Sequence, residues 1–243
     1  LITIAVIPAR YESSRFNGKP LFRIAGKSVI RHVYDRALEC KSLDRVIIAS
    51  DDSRIVDHAS GFGAETYLSK RIHTCGTERV AEAVARKRAD VVVNIQGDEV
   101  LLRPEIVESA IDALLSDEDS KCGTVCHEIA SMDDFRNPDL VKVVIDRNCN
   151  ALYFSRSPIP YLMGGRLRAA PLYGHIGVYA FRRDALMRFA RLKPGVLEAA
   201  ENLEQLRMLE SGMRIKVNLT KFKNISLNRK RDVPLIRNIL ESE

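Results

Sequence analysis

Along the first half of the chain, short apolar runs alternate with amphipathic stretches. ITIAVI (2–7) is continuously apolar, as a strand buried on both faces requires, and it stops at Pro8. SVIRHVYDRALE (28–39) sets Val29, Ile30, Val33, Ala37 and Leu38 at helical spacing. RVIIAS (45–50) predicts a second strand, and Asp51-Asp52 then cap a short helix in SRIVDHASGFG that ends at glycine. ERVAEAVARKRA (78–89) predicts a helix and VVVNI (91–95) a buried strand. RPEIVESAIDALLSD (103–117) predicts a helix with Pro104 in its first turn.

This alternation predicts an α/β fold with a mostly parallel sheet and right-handed crossovers. Ligands in such sheets bind at the carboxyl ends of the strands, which lines residues 8–19, 51–52 and 96–99 along one rim. The second half is less regular. LVKVVI (140–145), NALYFSR (150–156), HIGVYAF (175–181) and RIKVNL (214–219) read as strands, and NLEQLRMLESG (202–212) as a helix stopped by glycine. YLMGGRLRAAP (161–171) reads as a mobile glycine-rich excursion. With no clear linker, the chain reads as one domain carrying an inserted mixed sheet.

The totals change this picture little. The 243 residues are 46% hydrophobic and 29% charged, which fits a globular protein. No apolar run approaches the ~20 residues of a membrane span, and LITIAVIPAR reads as a first strand, not a signal peptide. Five cysteines without framework spacing suggest reduced thiols and a cytoplasmic setting. Cys122-x3-Cys126-His127 has neither haem nor zinc spacing and reads as small buried strand residues. A net charge of +6 suits an anionic partner. Nucleic acid is disfavoured, because no helix-turn-helix or RNP-like pattern accompanies the charge.

Several polar stretches carry candidate chemistry. Arg10, Arg15 and Lys19 follow the first strand; they form either a triphosphate cradle or a solvated basic loop, and the Walker A spacing is absent. In NIQGDE (94–99), Asp98 is either a ligand for Mg²⁺ bridging nucleotide phosphates or a helix cap. CGTERV (75–80) is a turn into a helix, with Thr77 as a cap or the backbone reading a base edge. Arg156 in LYFSRSPIP is suited to fork onto a carboxylate. LEAAENLEQLR (197–207) sets Glu198, Glu201 and Gln205 near one helical face, which otherwise is a solvated charge run. His175 is a core histidine or a site residue.

Together these segments resemble a known family. IPARYESSRFNGKPL, GTERV, VNIQGDE, VKVVID, ALYFSRSPIPY, HIGVYAFR and LEAAENLEQLRMLESG stand in the order and spacing of 3-deoxy-manno-octulosonate (Kdo) cytidylyltransferases, over about residues 4–219. The resemblance implies a nucleotidyltransferase (Rossmann-like) three-layer sandwich, with a smaller mixed sheet for sugar binding and dimerisation. The nucleotide part would span about 1–120 and the sugar and dimer part about 121–220. It implies a cytoplasmic homodimer without membrane partner that uses CTP, Kdo and Mg²⁺ to make CMP-Kdo and pyrophosphate for lipopolysaccharide assembly. Carried over by position, Pro8, Ala9, Arg10, Lys19, Cys75, Gly76, Thr77, Arg79, Gln96 and Asp98 would bind the nucleotide. Arg10, Lys19 and Asp98 would be catalytic. Arg156, His175, Tyr179, Glu204 and Gln205 would form the sugar-acid pocket.

Four positions depart from the family pattern. Cys75 replaces the usual serine, and Asn17 and Val100 stand where proline is common. Near the end, LNRKRD (227–232) occupies the place of a VDTPED-like run, so Asn228 replaces the aspartate that would be the second magnesium ligand. The metal set read from sequence is therefore Asp98 and Asn228. A related acidic sugar as substrate, or a weakly active or inactive homologue, are the competing readings.

Overall fold

The computed structural model describes residues 1–13, 16–165, 170–223 and 225–242. Arg15 of the basic loop, 166–169 of the glycine-rich excursion and Asn224 lie outside the described residues. The chain forms two compact units, Leu1–Glu108 with Asn224–Glu243, and Ser109–Lys223.

In the first unit, β1 (Thr3–Ala9) is buried along its whole length, as its unbroken apolar run requires. The basic loop leads into a small hairpin, β2 (Arg23–Ile24) and β3 (Lys27–Ser28), which runs into α1 (Val29–Leu38). Then come β4 (Arg45–Ser50), α2 (Ser53–Ser60), β5 (Glu65–Leu68), α3 (Gly76–Val84) and β6 (Val91–Ile95). Strand β1 is central: β6 and β4 flank it in parallel, and β5 lies parallel outside β4. The parallel sheet expected from the alternation is present. Sequence reading missed β5, a four-residue strand with no fully buried position. Asp52 caps α2 as expected, its carboxylate accepting from the Arg54 amide.

Helix α4 (Pro104–Leu115) starts in the first unit and ends in the second. The second unit continues with β7 (Cys122–Glu128), α5 (Met132–Arg136), β8 (Lys142–Ile145), β9 (Ala151–Ser155) and β10 (Tyr173–Arg182). It ends with α6 (Arg183–Phe189), α7 (Val196–Glu201), α8 (Gln205–Glu210) and β11 (Ile215–Thr220). Its sheet is mixed: β7 pairs in parallel with β11 and antiparallel with β10, and β10, β8 and β9 follow antiparallel. Cys122 and Cys126 are buried strand residues of β7, as read from sequence, and burial raises both thiols, Cys126 to about 12.

The continuous helical face expected over 197–207 does not exist. Asn202 adopts a left-handed conformation (φ 52°, ψ 51°) that ends α7, and α8 begins afresh at Gln205. Glu198 and Glu201 therefore sit on a different helix from Gln205. Nor is Glu198 a solvated charge: it grips the buried Arg207 through two hydrogen bonds of 2.7 and 2.6 Å, and that guanidinium also lies 4.7 Å from the Phe189 ring centroid.

The last segment belongs to the first unit. There α9 (Val233–Ser242) and Leu227 pack on Phe16, Ile24, Val29 and Val100 in one apolar cluster. Val100, where the family pattern has proline, is fully buried in it. No helix among the described residues is long and apolar enough to cross a membrane.

Candidate functional site

Pro8 and Ala9 end β1 buried, and Arg10 is exposed directly beyond them. The loop that follows is closed by a 2.9 Å hydrogen bond from the Gly18 amide to the Tyr11 carbonyl, with Gly18 at φ 68°, where a side chain would be strained. The Arg54 guanidinium lies 3.4 Å from the Tyr11 ring centroid and pairs with Asp52, which ties the loop to the end of β4. Lys19 starts a one-turn 3-10 helix, and its ammonium reaches Asp98 Oδ2 at 2.7 Å and the Leu227 carbonyl at 3.0 Å. Asp98 thus pairs with Lys19 instead of capping a helix. Gly97 makes this meeting possible, because a Cβ there would sit 2.9 Å from the Pro8 carbonyl oxygen.

Helix α3 brings the next group. Gly76 lies in its first turn beside Pro8 and the Gln96 amide, each within 3.5 Å of where a Cβ would be. Thr77 is not the cap that the sequence suggested. It lies inside the helix, buried, and its hydroxyl accepts from Asn94, whose own oxygen accepts from Gln96. The N-cap position belongs to Cys75, whose thiol makes no capping hydrogen bond; a serine hydroxyl is a far better acceptor there. Glu78 supports the turn instead, accepting from both the amide and the hydroxyl of Thr74. Arg79 is buried and bound to Asp51 at the end of β4, while its Nε is buried without a hydrogen-bond partner. Pro8, Gly76, Thr77 and Gln96 are therefore assembled by packing and hydrogen bonds, and Arg79 is strapped to the same rim.

Asn228 enters through its neighbour. The Leu227 amide donates to the Asp98 carbonyl at 2.9 Å, so residue 228 follows immediately after a backbone contact with Asp98. Asp232 is not a spare ligand, since its Oδ2 accepts from the amides of Asn228 and Arg229 at 2.9 and 2.7 Å. No cluster of three or more His, Cys, Asp or Glu suited to a metal occurs among the described residues. The Asp98 carboxylate and the Asn228 side-chain amide nevertheless offer oxygen donors. These fit Mg²⁺, which takes one or two carboxylates and completes its shell with phosphate and water oxygens. The cost relative to two carboxylates is one negative charge, next to exposed Arg229, Lys230 and Arg231.

In the second unit, Arg156 lies just past β9. Its guanidinium donates to the carbonyls of Glu201, Pro138 and Asn202 at 2.9, 3.0 and 3.3 Å, which leaves one N–H on each terminal nitrogen. His175 and Tyr179 lie on β10 with ring centroids 5.2 Å apart and planes tilted by 44°. His175 is buried, its Nε2 meets the Thr124 hydroxyl at 3.0 Å, and desolvation lowers its pKa to about 3, so the ring is neutral. Glu204 is the N-cap residue of α8, and Gln205 is buried in its first turn. Sequence reading missed Asn94, which is hidden in an apolar run and marked by no local pattern. It singled out Glu201 only as part of a helical face with Glu198 and Gln205, not as the residue that holds Ser155 and Arg156.

Comparison with known proteins covers the same residues. A protein-family model described as cytidylyltransferase matches residues 4–215. A Syntrophobacter fumaroxidans protein named 3-deoxy-manno-octulosonate cytidylyltransferase is 47% identical over 89% of this chain and 88% of its own. A protein of the same name from Thermodesulfovibrio yellowstonii is 41% identical over 100% of this chain and 99% of its own. A solved CMP:2-keto-3-deoxy-manno-octonic acid synthetase, complexed with CTP, superposes with a TM-score of 0.92 at 37% identity, covering 100% of this chain and 99% of that one. A 4-diphosphocytidyl-2C-methyl-D-erythritol synthase at 16% identity and TM-score 0.64 shares the fold alone.

Proposed function

The chain belongs to the 3-deoxy-manno-octulosonate cytidylyltransferase family, and from that premise we propose that it transfers CMP from CTP to Kdo, releasing pyrophosphate. The observation that carries the reading is the pairing of Lys19 with Asp98, 79 residues apart, at the rim where Gly76 meets Pro8 and Gln96. In the reaction, the hydroxyl on the sugar's anomeric carbon attacks the α-phosphorus in line. The O–P bond forms as the bond to the β-phosphate oxygen breaks, and the hydroxyl proton passes to solvent. Catalysis is then positioning and charge neutralisation, with no covalent enzyme intermediate. Arg10 and Lys19 neutralise the phosphates, and the Gly76 turn with Gln96 receives the cytosine and ribose. Arg156, His175, Tyr179, Glu204 and Gln205 hold the sugar acid.

Mg²⁺ would be held by Asp98 and Asn228, where it shields charge on the phosphates. With Asp98 engaged in holding the metal, the Lys19 ammonium would be available to the triphosphate. The chain acts in lipopolysaccharide assembly as a cytoplasmic homodimer, with the second-unit sheet at the dimer contact. The test is pyrophosphate release from CTP and Kdo across a magnesium titration, with ATP and GTP as controls and a panel of acidic sugars in place of Kdo. Turnover with CTP and Kdo alone is expected; release with another sugar acid but not Kdo would reassign the substrate. One observation favours a second reading. Asn228 with three cations after it describes a homologue that binds CTP without turning it over, and binding without pyrophosphate release at any magnesium concentration would establish that reading.

A further inference from the structure

Strand β8 carries a lysine inside an apolar run, LVKVVI, and this lysine is fully buried. The Lys142 ammonium meets three backbone carbonyls: Asn137 at 2.8 Å, Leu140 at 2.6 Å and Arg156 at 2.6 Å. The turn that supplies the first two also supplies Pro138, whose carbonyl accepts from the Arg156 guanidinium. Glu201 holds the other side of the same arginine. Its Oε2 accepts from the Arg156 amide at 2.9 Å, its Oε1 from the Ser155 hydroxyl at 2.5 Å, and its carbonyl from Arg156 Nε. The Arg156 residue is therefore gripped at its amide by a carboxylate, at its carbonyl by an ammonium, and at its guanidinium by the turn that this ammonium ties down.

We propose that Lys142 is a positioning residue for the sugar acid: with Glu201, it holds Arg156 in the one placement from which the guanidinium can meet the substrate carboxylate. The assignment rests on reading Arg156 as a sugar-acid residue.

The chemistry of the ammonium supports it. Filling this space needs no charge, and a buried cation is costly to desolvate, so a methionine would pack here at lower cost. What methionine lacks is three N–H donors for three carbonyls. A neutral amine has two N–H groups and a lone pair, so deprotonation turns the lone pair toward one carbonyl and loosens the grip. Burial, followed by the Arg156 charge, lowers the Lys142 pKa to about 8, and Glu201 opposes that shift. The grip thus weakens just above neutral pH. The other groups facing this lysine are His127, whose ring packs on Gly174, the register partner of Lys142, and the adjacent His175. Burial lowers both imidazoles, so neither changes charge in that window. Asp139 lies on the 137–140 turn.

The experiment measures KM for Kdo and for CTP with the full chain from about pH 7 to about pH 9.5, spanning the shifted lysine's titration. KM for Kdo is expected to rise by about fivefold or more, the worth of one lost hydrogen bond, while KM for CTP stays level across the same step. Lys142→Arg, whose guanidinium does not titrate here, is expected to flatten the Kdo profile. Glu201→Gln, which keeps the amide contact without the charge, is expected to raise KM for Kdo at pH 7. A wild-type Kdo profile that stays flat, or that rises in parallel with CTP, overturns the role of Lys142, and this readout needs no variant to fold. Arg156→Ala is the control: if KM for Kdo does not change there, the reading of Arg156 fails and this assignment with it.

Discussion

The Lys19 ammonium and the Asp98 carboxylate stand 2.7 Å apart, and both residues are also tied to the backbone of Leu227. Lys19 donates to the Leu227 carbonyl, while the Leu227 amide donates to the Asp98 carbonyl. Both charged side chains are mostly shielded from solvent, with 17% and 26% exposure, so each strengthens the field felt by the other. Such a pair joins one cation and one anion, the two charges that the proposed reaction would direct to the triphosphate and to Mg²⁺.

Removing the cation follows directly. Lys19→Ala is expected to lower kcat/KM by ~10² or more, since a fixed charge on the transferred phosphates contributes several kcal/mol to the transition state. Steady-state kinetics with CTP and Kdo measure this. An unchanged kcat/KM would take Lys19 out of the site.

The departure at residue 228 makes a separate prediction. An ionised aspartate offers Mg²⁺ a full negative charge, and asparagine only a neutral carbonyl oxygen. Exposed Arg229, Lys230 and Arg231 add repulsion that salt screens over a Debye length of ~8 Å. Asn228→Asp is expected to tighten apparent Mg²⁺ affinity in the CTP complex by at least ~10-fold, or about 1.4 kcal/mol. Neutralising Arg229 and Lys230 as well should add to this. Magnesium titrations of CTP binding measure the effect apart from turnover. No change in either would place residue 228 away from the metal.

Arg156→Ala is expected to raise KM for the sugar acid by ~10-fold or more while that for CTP moves little, because a charge-assisted bond to carboxylate is worth ~1.5–3 kcal/mol. Paired KM determinations separate the two substrates. A rise confined to CTP would assign the arginine to the nucleotide.

Stability should fall in acid. Burial holds His175 at about pKa 3 in the folded chain against an ordinary 6.5, and it lowers His32 and His127 as well. Between those two values the unfolded chain binds a proton that the folded His175 does not. Stability is therefore fully present above about pH 6.5 and is lost as pH falls, by up to ~1.4 kcal/mol per pH unit for each such histidine. Denaturant unfolding from pH 7 to pH 4 measures the slope, and His175→Gln should make it shallower. An equal slope in the variant would mean that His175 is protonated in the fold.

The sequence by itself determined those elements whose burial is uniform along the segment. ITIAVI, RVIIAS and VVVNI are apolar without a break because parallel strands are covered on both faces, and each became a strand within a residue or two of its expected bounds. It also determined the order of the rim segments, since a parallel sheet puts the ends of successive strands on the same side. Only the tertiary structure decided what those segments do to one another. The helix expected across 197–207 is broken because Asn202 turns left-handed, a backbone choice that side-chain periodicity does not encode. Thr77 was legible as a helix cap and is instead the partner of Asn94, a residue hidden in an apolar strand. Lys142 interrupts an alternation-free run that gives no hint of three carbonyls waiting for its ammonium. Lys19 finds Asp98 across 79 residues and Leu227 across 208. Local pattern reports how much of a segment is buried. The identity of a buried polar group's partner depends on which distant backbone closes over it, and that is settled only when the chain packs.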